Sequence, residues 1–172
     1  EANAPMTDSS EFGMSPLMYA AAAGQAEVTS FLLEQLASVD GKDHQGRTAL
    51  IHAATHGDKS VVDLLLSRGA NVDVADVEGY TALMAAAAEG HTHVCRQLVE
   101  AGAAVDAVTT GGDTALIFAS HSGHSDTRSY LEMASKPRDC TGNPREMQAQ
   151  VLEASRNGAV AALQVLVERG AD

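Results

Sequence analysis

A recurrence of 33 residues constrains this chain more than any other feature. Thr48-Ala-Leu50, Thr81-Ala-Leu83 and Thr114-Ala-Leu116 keep that spacing, and one step back lies Ser15-Pro-Leu17. Gly24, Gly57, Gly90 and Gly123 follow it, as do Gly46, Gly79 and Gly112 and the pairs Val39-Asp40, Val72-Asp73 and Val105-Asp106. After a two-residue slip comes a fifth unit, in which Gly158 and Gly170 are separated as Gly57 and Gly69 are. A period of this length marks stacked helical units, each burying its apolar face on its neighbours. The 172 residues therefore need no single central core, and an aromatic content of 3% suits thin layers rich in Ala and Leu.

The clearest copy reads Asp76-Val-Glu-Gly79-Tyr-Thr81-Ala-Leu83, then Ala86-Ala87, Gly90-His91, Leu98-Val99 and Gly102-Ala103. This pattern resembles the ankyrin repeat, from about residue 10 to the last residue. The resemblance implies an all-α solenoid of helix-turn-helix units joined by short β-hairpin fingers. It is specific for fold and says little about function. One departure is regular: where the family has Pro then Leu-His, Leu is followed here by Met18, Ile51, Met84 or Ile117. The family's inter-turn histidine bonds are therefore expected to be replaced by apolar packing.

The expected organisation is a flexible lead-in over 1–10, then units at about 11–42, 43–75, 76–108, 109–142 and 143–172. Unit one predicts an inner helix from Pro16 to Ala23, with Ser15 as cap and Pro16 at the first helical position. Its outer helix, about Ala26 to Leu36, is expected to bury Val28, Phe31, Leu32 and Leu33. Leu36 replaces the turn glycine found at Gly69 and Gly102, so this helix is expected to end differently. Units two and three are the most regular and are expected to be the most rigid. Unit four predicts a good inner helix, Thr114 to Ser122, and a poor outer one, with Thr127, Arg128 and Glu132 in place of Val61, Val62 and Leu66. At about 25 cal/mol per Å², losing two or three aliphatic side chains costs several kcal/mol locally. The link from Ser135 to Gly142 reads as a loop open to remodelling. Unit five opens on the capping sequence Asn143-Pro144-Arg-Glu146 and restores an apolar outer helix over about Val160 to Arg169.

A net charge of -12 argues against nucleic acid, whose phosphates need clustered Lys and Arg, and favours a neutral or basic partner. Cys95 and Cys140 lie in different units and make no disulfide framework, which fits a reducing compartment. No apolar run is long enough for direct membrane insertion, and residues 1–10 lack the pattern of a signal peptide. The cytoplasm is the expected location, the nucleus the second. The ending Gly170-Ala-Asp172, where a further turn would continue, reads as that of a fragment.

Helical geometry separates each inner helix into a packed set and a concave set. The concave positions are Tyr19, Ala22 and Ala23; His52, Thr55 and His56; Ala85, Ala88 and Glu89; and Phe118, His121 and Ser122. The matching finger positions are Phe12 and Met14; His44, Gln45 and Arg47; Val77, Glu78 and Tyr80; and Thr110, Gly111 and Asp113. Four of the six aromatic residues fall in this set, which is the strongest functional signal in the chain. Exposed aromatics cost solubility and dominate interface hot spots. In the family that face binds partners, which the resemblance carries to this one.

Small Ala85 and Ala88 between His52 and Phe118 suggest a depression overhung by Tyr80, with Arg47 and Glu89 reading the flanks of a bound peptide. The partner-binding residues so expected are Phe12, Met14, Tyr19, His44, Arg47, His52, His56, Tyr80, Ala85, Ala88, Glu89, Phe118 and His121. The opposite reading has these aromatics packing on neighbouring units.

His52 with His56, and His91-Thr-His93-Val-Cys95, have spacings that invite a metal, but neither has a third and fourth ligand, so none is expected. Several imidazoles on one surface would also gain charge near pH 6. Cys95 reads as a packed small hydrophobe, not a nucleophile. No catalytic constellation and no cofactor motif is present, so the chain reads as a non-enzymatic protein-interaction module. The alternatives are a structural spacer of a longer ankyrin array and a regulatory domain attached to an enzyme.

Overall fold

The computed structural model describes residues 12–135, which hold units one to four. The lead-in, the link after Ser135, Cys140 and the whole of unit five lie outside the described residues. Within 12–135 the chain forms eight helices in four pairs. The inner helices are α1 Pro16–Ala22, α3 Ala49–His56, α5 Ala82–Ala88 and α7 Ala115–His121; the outer helices are α2 Ala26–Glu34, α4 Lys59–Ser67, α6 Thr92–Glu100 and α8 Ser125–Ala134. Each inner helix packs on the next inner helix and on its own outer helix, and the outer helices pack in the same succession. This is the all-α solenoid that the period predicts.

The inner helices start where hydroxyls can cap them. Ser15 Oγ accepts from Met18 N at 3.3 Å, and Thr81 and Thr114 accept from Met84 N and Ile117 N at 3.4 Å. In the repeated motif that follows, Leu17, Leu50 and Leu83 are almost free of solvent contact, while Leu116 in unit four is half-buried. Met18, Ile51 and Met84, which stand where the family has histidine, are buried among them.

Cross-unit histidine bonds nevertheless exist, supplied from the turn between the helices. His91 Nε2 lies 3.1 Å from Thr55 O, and His124 Nε2 lies 3.0 Å from Ala88 O, each reaching into the preceding unit. Their rings lie close over the turn glycines of that unit. A Cβ added at Gly57 would fall 2.5 Å from the His91 ring, so a larger residue there would have to displace that ring as well as hold a left-handed φ of 85°.

Among the described residues there is no strand, and one isolated antiparallel bridge joins Ala75 to Thr81. The fingers are therefore turns. Those of units two and three are each closed by a side chain: Asp43 Oδ1 accepts from Gln45 N and Arg47 N, and Asp76 Oδ1 accepts from Glu78 N and Tyr80 N. Successive fingers are tied by His44 N to Phe12 O, Val77 N to Gln45 O and Thr110 N to Glu78 O. The recurring Val-Asp pair has its own task, since Asp40 and Asp73 accept from the backbone of the next unit at Asn71 N and Ala104 N.

Two expectations about the outer helix of unit one are corrected. In α2, Thr29 and Leu33 are buried and Leu32 is half-buried, but Val28 and Phe31 are 44% and 59% exposed. Leu36 does not end its helix differently: it adopts the left-handed φ of 62° where Gly69 and Gly102 adopt 82° and 96°. Leu36 N and Ala37 N bond to Leu33 O and Leu32 O, as Gly69 N and Ala70 N bond to Leu66 O and Leu65 O. The backbone hydrogen bonds of the stop impose the conformation, and the side chain, 90% exposed, tolerates it. The outer helix of unit four, α8, spans ten residues and, as its sequence predicts, buries less apolar surface: Leu131 is its one buried aliphatic side chain, where α4 buries Val61, Val62 and Leu65. Thr127 and Leu131 bury themselves, Thr127 Oγ1 bonding Thr92 Oγ1 at 2.6 Å, and Tyr130 lies under the Arg96 guanidinium at 5.5 Å.

Candidate functional site

The expected residues lie on the fingers and along the inner helices as far as their C-terminal ends, and the structure sorts them into three groups. Phe12, Tyr19, His44, His56, Glu89 and His121 are exposed; Met14, Arg47, Tyr80, Ala88 and Phe118 are half-buried; His52 and Ala85 are buried.

The buried pair changes the geometry of the site. Ala85 is only 1% exposed, so it presents no surface of its own.

His52 is drawn inward by an acid. Asp43 Oδ2 accepts from His52 Nε2 at 3.1 Å and from Arg47 Nε at 3.0 Å, while Oδ1 accepts two backbone N–H bonds. The Asp43 carboxylate is fully shielded from solvent. Burial alone would raise its pKa, but the bonds from the Arg47 and Gln45 backbone and from His52, with the guanidinium charge, together hold it below the usual carboxylate value. Burial pushes His52 below its ordinary value, a shift the Asp43 bond only partly offsets. At neutral pH a neutral imidazole donates its Nε2–H to a carboxylate, and the finger of unit two is fastened to its own helix. His52 is therefore a strut, not a surface that gains charge near pH 6. Arg47, paired with Asp43, is likewise committed within the fold.

Two aromatic residues meet across a unit boundary. The Tyr80 ring, on the finger of unit three, packs edge to face on Phe118 of α7 with centroids 5.1 Å apart. Both are half-buried and both rest on the apolar core. Burial, with the nearby Glu89 and Asp76 carboxylates, pushes the Tyr80 phenol up to about 12. Glu78 and Glu89 are exposed beside this pair.

Other chemistry is answered by position. His91 and His93 direct their Nε2 atoms to the Thr55 and Gly57 carbonyls, and Cys95 is fully buried, so these residues do not converge. Burial raises the Cys95 thiol to about 12, which keeps it a neutral packing group. Among the described residues no cluster of three or more His, Cys, Asp or Glu could hold a metal ion, and no helix is long and apolar enough to cross a membrane.

Sequence reasoning did not find the Asp43 strut or the Asp40 and Asp73 crosslinks. The period of the Val-Asp pair was the signal for the second, and an acidic residue nine positions before a concave histidine was the signal for the first.

Stacked helical pairs, finger turns tied in a row and an aromatic edge define a repeat protein that presents one face along its length. The chain belongs to the ankyrin repeat family: the family model for ankyrin repeats in three copies matches residues 1–76 and 68–139. No curated protein matches it. Domains of this family are generally protein–protein interaction modules.

Proposed function

We propose that this chain binds an extended peptide or loop of a partner protein along its fingers and inner helices, with the Tyr80–Phe118 pair at the centre of the contact. The observation that carries this reading is that pair: two half-open rings already locked edge to face, which lose little freedom on binding. Exposed Phe12 and Tyr19 extend the aromatic edge, with Met14, His44, His56, Ala88 and His121 around it. The site differs from the sequence expectation in that a ligand packs on the ring pair, not in a hollow over Ala85.

The partner we propose is neutral to basic. Arg47 is spent on Asp43, whereas Glu78 and Glu89 stand open, so the free charge beside the rings is negative. The same acidity disfavours nucleic acid. A buried neutral thiol at Cys95 accords with a binding role without catalysis, and with a reducing compartment such as the cytoplasm.

Peptides selected from a displayed random library against the full chain test this. They are expected to bind at least about tenfold more weakly to Tyr80→Ala and Phe118→Ala, the cost of one hot-spot ring. Peptides that bind both variants as well as the parent would sink the groove reading. A selection that yields no binder at all would favour the spacer role.

A further inference from the structure

The edge that unit one turns away from unit two is built like an interior interface. Four side chains show this, and each has three equivalents at the 33-residue period. Val28 is 44% exposed, while Val61 and Val94 are fully buried and Thr127 is nearly so. Pro16 is half-buried where Ala49, Ala82 and Ala115 are buried. Tyr19 is exposed where His52 and Ala85 are buried and Phe118 is half-buried. Phe31 is exposed where Leu64, Gln97 and Tyr130 are half-buried.

The structure also shows what covers the equivalents. Gln97 Nε2 donates to Lys59 O and to Asp63, both in the preceding unit. Thr127 bonds Thr92, Tyr130 receives Arg96, and Phe118 receives Tyr80, in each case from the unit before. Among the described residues, these positions in units three and four are therefore met by the trailing edge of the preceding repeat. A repeat that closes an array normally turns a polar side outward. Unit one turns Pro, Tyr, Val and Phe.

We propose that this edge of unit one is a docking surface for the trailing edge of a further ankyrin-type unit, stacked in register as units three and four receive theirs. The inference does not depend on the groove reading. It concerns the end of the stack, and Tyr19 is the one residue common to both.

The test uses the full chain and a version of it with a copy of residues 76–108 joined ahead of Ser10, which preserves the register. In the chain as it stands, Phe31→Asp is expected to shift Tm by less than about 2 °C, as an exposed substitution does. In the extended chain the same change is expected to lower Tm by about 6 °C or more, because a carboxylate then replaces an interface ring. Equal shifts in the two chains would overturn the proposal, and so would an extended chain whose added residues bring no helical circular dichroism. Sedimentation of the unextended chain supplies the remaining arm. A monomer is expected, and a dimer that Phe31→Asp dissociates would give the edge to a second copy instead.

Discussion

Val28 in unit one and Val61 in unit two are the same residue at the same place in the repeat, as is Val94 in unit three. Val61 and Val94 are closed to solvent and Val28 lies nearly half open. The residue does not decide its burial; the neighbour does. In a stack where each unit touches only the next, an apolar pattern states which face a helix offers and leaves open whether anything meets it. In units two and three, covered on both sides, the outer-helix residues Val61, Leu65, Val94 and Leu98 are buried as the apolar pattern predicts.

The comparison breaks most readily at the buried polar strut of unit two. Asp43→Ala removes the acceptor of four bonds and strands the His52 donor in the interior, so a loss of roughly 2 to 3 kcal/mol in urea unfolding is expected. The strut also sets the direction of the pH response. The folded state lowers the His52 pKa, so the unfolded chain takes up that proton first and stability falls as pH drops below the ordinary histidine value of 6.5. Asp43 is also lowered, and its contribution, present above the ordinary carboxylate value of 3.8, is lost as pH falls through its folded value. Unfolding followed from pH 7.5 to 5 should show the histidine step in the parent chain and a smaller one in His52→Gln. A step of equal size in that variant would remove His52 as its source.

A smaller effect, of opposite sign, is expected in unit one. Leu36 holds a left-handed backbone that Gly69 and Gly102 hold without strain, and its side chain is almost fully in solvent. Leu36→Gly should raise stability by roughly 1 kcal/mol, since a Cβ in that conformation costs about that much and little packing is lost. The reciprocal change, Gly69→Leu, should lower stability by a similar amount for the same backbone reason, and urea unfolding of both variants checks the pair.

The helices were legible in the sequence because the period, the Ser15, Thr81 and Thr114 caps and the turn glycines all act within a few residues of where they are read. The site was legible only in outline. Phe12 and Tyr19 face solvent, and Tyr80 and Phe118 are half open. His52 and Ala85, at concave positions, are buried, and for His52 the cause is visible: its Nε2 bonds the buried Asp43 carboxylate. Helical phase gives direction from the axis, whereas exposure depends on the length of neighbouring side chains and on bonds between units. The same limit explains Val28 and Phe31, and explains why α8, poor in aliphatic residues, still packs through Thr127, Tyr130 and Leu131.

The measurement that bears most directly on this account pairs two identical substitutions, Val61→Ala and Val28→Ala, in urea unfolding of the full chain. Removing two buried methyl groups at Val61 is expected to cost about 2 kcal/mol, and the same change at half-open Val28 less than about 0.5 kcal/mol. Equal losses at the two positions would contradict the claim that neighbours, and not the repeat pattern, decide what is buried.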